Sequence, residues 1–262
     1  MIHEKQRPIL PDGVRNHRLL MQGWSRLVRR LPHLELRVFG DAGGYPLLLI
    51  ESRRRMPGAL SVYLSAGIHG DEPAGVEGLL RWAERDLPHA GELNWQIFPC
   101  LNPWGLERNI RFDAGGRDLN RCYNVRGVPQ ITAQLAAMKG WKHDLAIMLH
   151  EDYDARGFYL YEISARRPHW GEDLIHSVTS ILSPDTRRTI DGHRARGGLI
   201  RRRISPAMIK GHPEAFRLHF RHAARTLTIE TPSEESLETR VRLHAEFLSA
   251  ALKKLKLGVA SR

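Results

Sequence analysis

The side chains best suited to chemistry fall in four places. His69 and Glu72 stand three residues apart in the run Leu64-Ser65-Ala66-Gly67-Ile68-His69-Gly70-Asp71-Glu72, His150 follows the apolar segment 144–149, and Glu230 ends the segment 225–229. Between them, residues 102–124 supply Arg108, Arg111, Asp113, Arg117, Asp118, Asn120 and Arg121. Two histidines and one carboxylate can hold a catalytic zinc while the fourth position is left to water. A second carboxylate, off the metal, would take the water's proton as it attacks a carbonyl. Arginines would steady the developing oxyanion and grip a substrate carboxylate through a two-pronged hydrogen bond. Each residue also has a plainer use: His150 as a polar cap on a strand, Glu230 as a surface carboxylate, Arg111 and Arg121 as partners for Asp113 and Asp118. Order and placement are what separate the two readings.

The elements that must position these groups follow from pattern. Ser61-Val62-Tyr63-Leu64 is rich in β-branched and aromatic residues and predicts a strand, whereas Pro73 to Trp82 predicts the opening of a helix with proline tolerated in its first turn. His69 and Glu72 therefore lie at a strand-to-helix turn, where open α/β sheets bind ligands. Upstream, apolar spacing predicts a helix over 14–31 and strands over 34–39 and 47–51. The turn Met56-Pro57-Gly58 predicts a hairpin between the second of these strands and the one before His69. Further strands are expected over 94–99, 144–149, 157–162 and 225–230. Helices are expected over 131–139, 168–182, 213–222 and 235–255, the last with acids leading and lysines trailing in accord with the helix dipole. Residues 102–124 predict neither helix nor strand, and loops of that length in compact domains are usually functional. Residues 183–211, rich in Arg and Gly, resist assignment. Strands alternating with helices, with no break in composition, predict an α/β fold: a single domain over 1–262 (core about 34–255), with a parallel or mixed sheet covered by helices on both faces.

Composition bounds the partners. Forty Lys and Arg against 29 Asp and Glu give a net charge of +11, which suits solubility, nucleic acid, an anionic surface or acidic small substrates. The arginine clusters 53–55, 187–188 and 201–203 are not interleaved with aromatics, so no nucleic-acid partner is expected. Cys100 and Cys122 are the only cysteines, too few for a disulfide framework, and residues 1–8 lack the apolar core of a signal peptide; the expectation is a cytoplasmic protein. No apolar run approaches the roughly 20 residues needed to cross a bilayer.

His69-Gly70-Asp71-Glu72, Asn102-Pro103-Trp104-Gly105, Arg111, Asp118-Leu119-Asn120-Arg121, Leu149-His150 and Thr228-Ile229-Glu230-Thr231, in this order from about Leu60 to Pro232, together resemble the zinc carboxypeptidases of the carboxypeptidase A type. The resemblance implies a doubly wound α/β fold and one zinc ion per chain on His69, Glu72 and His150. It also implies Glu230 as the general base that activates the zinc-bound water, Arg111 as the oxyanion stabiliser, and Asn120 with Arg121 as the clamp on a terminal carboxylate, hence an exopeptidase. Two departures stand out. Digestive members carry a tyrosine some twenty residues before the catalytic glutamate, but residues 195–229 contain none; Tyr153, Tyr159 and Tyr161 are the candidates to replace it. Asp71 stands where those members carry arginine. The His-Gly-Asp-Glu form is closer to bacterial members acting on small cell-wall peptides and to deacylases of the aspartoacylase and succinylglutamate desuccinylase kind. The expected substrate is a short peptide with a free carboxylate, or, as the alternative, an N-acyl amino acid. Arg194, Arg196, Arg201 and Arg203 are candidates to select an acidic side chain.

Overall fold

The protein is described by a computed structural model over residues 15–164, 166–202, 204–205 and 211–260. Val14 and Arg203 lie outside these residues. The chain opens with α1 (His17–Val28), capped by the Asn16 side chain, which accepts from Leu19 N, and buried along Leu20, Trp24 and Leu27. β1 (Leu34–Asp41) and β2 (Pro46–Ser52) form an antiparallel pair. β3 (Ser61–Ala66) leads through the His69 turn into α2 (Pro73–Asp86), and β4 (Asn94–Phe98) into the short α3 (Pro103–Arg108). Next come α4 (Pro129–Ala137), β5 (Leu145–Asp152), β6 (Tyr159–Ser164) and α5 (Gly171–Val178). A small ribbon, β7 (Thr189–Ile190) with β8 (His193–Arg194), precedes β9 (Leu199–Arg201), α6 (Glu214–Arg221), β10 (Arg225–Pro232) and α7 (Leu237–Ala260).

Eight strands form one mixed sheet in the order β1-β2-β4-β3-β5-β10-β6-β9. Its centre, β4-β3-β5-β10, is parallel, and β3 is buried along its whole length, its apolar run Val62-Tyr63-Leu64 flanked by Ser61 and Ser65. One face packs α1, α2, α5 and α7 through Leu20, Trp24, Leu80, Trp82, Leu174 and Phe247. The other packs α4 and α6 through Tyr63, Phe98, Ile131, Met148 and Leu218. The expected α/β architecture with helices on both faces is therefore the observed one.

Two local expectations fail. The turn at Met56-Pro57-Gly58 does not close a hairpin: β4 lies between β2 and β3, antiparallel to the first and parallel to the second. The turn is held instead by Asn94 of β4, whose side chain accepts from Met56 N at 2.7 Å and donates to Met56 O at 3.0 Å. Turn chemistry fixes the reversal of direction but not which strand becomes the neighbour. Residues 102–124 also do contain a helix. Asn102 caps α3 by accepting from Gly105 N at 3.0 Å, and Pro103 fills the first helical position, so a sequence that reads as a turn is in fact a helix start. Among the described residues no helix is long and apolar enough to cross a membrane.

Candidate active site

β3 releases the chain at Gly67, which adopts φ +61° and against which a Cβ would stand 2.7 Å from Val76. Only glycine combines that left-handed backbone with the close approach. Glu72 then occupies the N-cap of α2 in a non-helical conformation, yet its side chain makes no cap bond. The capping duty passes to Glu151, which accepts from Ala74 N at 2.7 Å and pairs with Arg240 of α7. This division frees the Glu72 carboxylate to turn inward. Its Oε1 lies 2.5 Å from His69 Nδ1 and its Oε2 lies 2.9 Å from His150 Nδ1, all three residues buried.

His150 ends up here because β5 carries it to the sheet's carboxyl edge, with Glu151 on the opposite face as strand alternation demands. Glu230 of β10 is the register partner of His150 on one side and of Tyr159 on the other. Thus the four groups singled out from the sequence converge from separate strand ends.

Electrostatics shows what this cluster wants. His69 Nε2 lies 3.2 Å from Asp118 Oδ1, while Nδ1 faces Glu72. With an acceptor on each side, the ring must carry two protons, or a cation must take the place of the one on Nδ1. Burial lowers the His69 pKa, but the Glu72 charge and the hydrogen bonds to Asp118 and Glu72 outweigh it and raise it to about 9. Burial would raise the Glu72 carboxyl; the two histidines pull it well below the ordinary range instead. The three ligand-type atoms lie within 4.8 Å of one another, and Asp118 supplies the outer hydrogen bond that orients metal-binding histidines. The donor set fits a divalent metal ion.

A cavity of about 270 Å³ opens beside the trio. It is lined by Glu230, Arg111, Asn120, Arg121, Tyr159, Tyr161, Phe216 of α6 and, from a segment the sequence did not resolve, Asp191, His193 and Arg202. Burial pushes the Glu230 carboxyl up, and the charges of Glu72, Asp152 and Asp191 add to this against the opposing pull of His150. Arg111 is positioned by Asn102, whose Nδ2 donates to Arg111 O and Phe112 O at 3.3 and 3.0 Å. Its guanidinium pairs with Asp118 at 3.1 Å and lies 3.5 Å from Glu72. Asp113 is taken by Arg117. Arg121 is exposed, and its Nη1 donates to Asn120 O at 3.1 Å.

Of the three candidate tyrosines, Tyr159 donates to Asp152 at 2.8 Å and Tyr161 to Asp191 at 2.5 Å, both in the cavity wall. Burial and the neighbouring acids raise both hydroxyls far above their usual range, so they remain protonated donors. Tyr153 stands 58% exposed and donates to Asp71. Arg194 and Arg196 are exposed, and Arg201 is occupied by Glu162 at 2.8 Å and by Glu172. Besides Arg111 and Arg121, the arginine among the described residues that lines the cavity is Arg202, whose Nη1 donates to His193 Nε2 at 2.8 Å. A signal for this wall was present in Asp191-Gly192: both residues have positive φ, 46° and 69°, as a two-residue type I′ hairpin turn needs.

Residues 59–181, just under half of the chain, match the catalytic domain of the succinylglutamate desuccinylase/aspartoacylase family. The chain is a hydrolase, similar in fold to metallo-carboxypeptidases and, over this segment, to the desuccinylase/aspartoacylase family. Similar solved structures include a candidate metallopeptidase from Shewanella baltica, 22% identical with TM-score 0.79, covering 91% of this chain and 93% of that one. A metallo-carboxypeptidase from Burkholderia cenocepacia is 19% identical with TM-score 0.69, covering 92% of this chain and 69% of its own. One from Pseudomonas aeruginosa, in complex with (2-guanidinoethylmercapto)succinic acid, is 20% identical with TM-score 0.62, covering 87% and 66% respectively. Among curated proteins, none matches the sequence. The hydrolase thus shares its fold with metallo-carboxypeptidases while its central segment carries the desuccinylase/aspartoacylase pattern.

Proposed function

We propose that this hydrolase is a zinc-dependent metallocarboxypeptidase that cleaves the C-terminal amide bond of short peptides. His69, Glu72 and His150 hold the zinc, one ion per chain. When bound, zinc supplies a Lewis acid for the scissile carbonyl and a water of lowered pKa. Glu230, beside His150 and raised by burial, takes the proton from the attacking water at its carboxylate and returns it to the leaving amine. Arg111 steadies the negative charge that develops on the carbonyl oxygen. Asn120 and Arg121 hold the substrate's terminal carboxylate, which restricts attack to the last amide bond. The observation that carries this reading is the convergence of the buried His69–Glu72–His150 trio with Glu230 and three arginines on one cavity.

Arg202 adds a preference for an acidic released residue. It spends one N–H on His193, and among the described residues its other donors meet no hydrogen-bond acceptor, which suits them to a second carboxylate in the cavity. The substituted succinic acid held by the Pseudomonas aeruginosa neighbour is in keeping with carboxylate recognition. The test is release of glutamate from N-benzoyl-glycyl-glutamate, abolished by a chelator, restored by zinc and lost in Glu230→Gln. Full activity in that variant would sink the mechanism. The family match over residues 59–181 favours a second reading, deacylation of an N-acyl amino acid at the same site. Turnover of N-acetyl-aspartate or N-succinyl-glutamate without turnover of any dipeptide would establish it in place of the first.

A further inference from the structure

The clamp residue Asn120 has an amide with two chemically opposite ends, and only the NH2 end can bind a carboxylate. Its Oδ1 accepts from the backbone N–H of Glu214 at 2.9 Å, which leaves Nδ2 as the end available to the cavity. A flipped amide would aim its oxygen at the substrate carboxylate and its N–H groups at another N–H. The orientation therefore depends on where the Glu214 N–H stands.

That N–H opens α6, and the Glu214 side chain fixes it. The carboxylate is 1% exposed. Its Oε1 accepts from Tyr63 OH and from Gln134 Nε2 at 2.9 Å, and its Oε2 accepts from Ser65 Oγ at 3.0 Å. Gln134 is itself held by Tyr123, which donates to its Oε1 at 2.5 Å. Tyr63 and Ser65 are alternate residues of β3, the strand that runs on to His69, so they present the same face to α6. A buried carboxylate is costly unless hydrogen bonds satisfy it, and these satisfy both of its oxygens. Glutamine at this position would keep the shape but lose the charge and replace one acceptor oxygen with an NH2, so that Ser65 Oγ would have to accept where it now donates.

We propose that Glu214 is a positioning residue: by tying the first turn of α6 to β3 it sets the amide of Asn120 and with it the affinity for the substrate's terminal carboxylate. This rests on the clamp reading above. Glu214→Gln is expected to raise KM for N-benzoyl-glycyl-glutamate roughly tenfold, the scale of one hydrogen bond to a charged group. Its kcat should stay within about twofold and its bound metal should be unchanged, a split that general loosening of the fold would not give. Asn120→Ala should raise KM similarly, and the double variant should be no worse than Asn120→Ala alone. Ser65→Ala, which removes one donor to Oε2, should give a smaller rise and serves if Glu214→Gln does not fold. An Asn120→Ala enzyme with unchanged KM overturns the clamp reading and this inference with it. A raised KM in Asn120→Ala beside an unchanged KM in Glu214→Gln or Ser65→Ala overturns the inference alone, as do penalties that multiply in the double variant.

Discussion

Gly70, between two of the proposed metal ligands, offers the sharpest test of how the site is held. Its N–H donates to Arg111 O at 3.4 Å, so it touches the arginine segment as well as the His69 turn. A Cβ at this position would stand 2.0 Å from Gly105 C and 2.4 Å from Leu106 N, both backbone atoms of α3. Ordinary contact begins at 3.4 Å, so Gly70→Ala forces α3 and the His69–Glu72 turn apart by roughly 1.4 Å (3.4 against 2.0 Å). Overpacking of this kind costs about 1–3 kcal/mol of stability. A 1 Å misplacement near the reacting groups costs about 100-fold in rate. The expected variant is folded, about 1–3 kcal/mol less stable in urea, and at least about 100-fold lower in kcat/KM on N-benzoyl-glycyl-glutamate. Gly58→Ala is the control. That glycine also has positive φ (+78°) but meets nothing within 4 Å, so it should lose some stability and keep its kcat/KM. A Gly70→Ala enzyme within threefold of the parent would refute the argument that this close approach sets the geometry.

Two further outcomes follow from other parts of the structure. Glu72→Ala should lose the metal, read by mass spectrometry of the purified protein, whereas Glu230→Ala should keep the metal and lose the rate; retention of metal by both would mean that the roles of the two carboxylates are misassigned. His143 is buried against Trp141 and Tyr63, and burial lowers its pKa from 6.5 to about 3. Its neutral form is what the fold accommodates, so this contribution is intact above pH 6.5 and is lost as pH falls towards 3, on the order of 5 kcal/mol in all. His143→Phe should flatten the acid limb of stability measured by urea titration between those values, and an unchanged slope would count against it.

The gathering of His69, Glu72, His150 and Glu230 at one place was legible because apolar strands stop at or just before these polar residues, and strand ends in an open α/β sheet converge on one edge. The hairpin expected at Met56-Pro57-Gly58 was not, because local turn chemistry carries no information about β4, which arrives some forty residues later and inserts between the two strands. The cavity wall formed by Asp191, His193 and Arg202 was missed for a related reason. Residues 183–202 form strands of two or three residues and glycine turns with no period to read, and their side chains acquire meaning only where β9 pairs with β6. Thus Arg202 had no signal to distinguish it from Arg201 beside it. In the fold, one reaches the cavity and the other is absorbed by Glu162 and Glu172.

Under the proposed function, the sheet order separates the reaction chemistry from substrate choice. His69, Glu72, His150 and Glu230 issue from the central strands β3, β5 and β10, whereas Asp191, His193 and Arg202 hang from the ribbon and connection around the edge strand β9. An edge can accept a different loop without disturbing the pairing of the strands behind it. The segment 183–202 is therefore a replaceable cassette: exchanging it should redirect the enzyme to another side chain while the centre of the sheet keeps the same reaction.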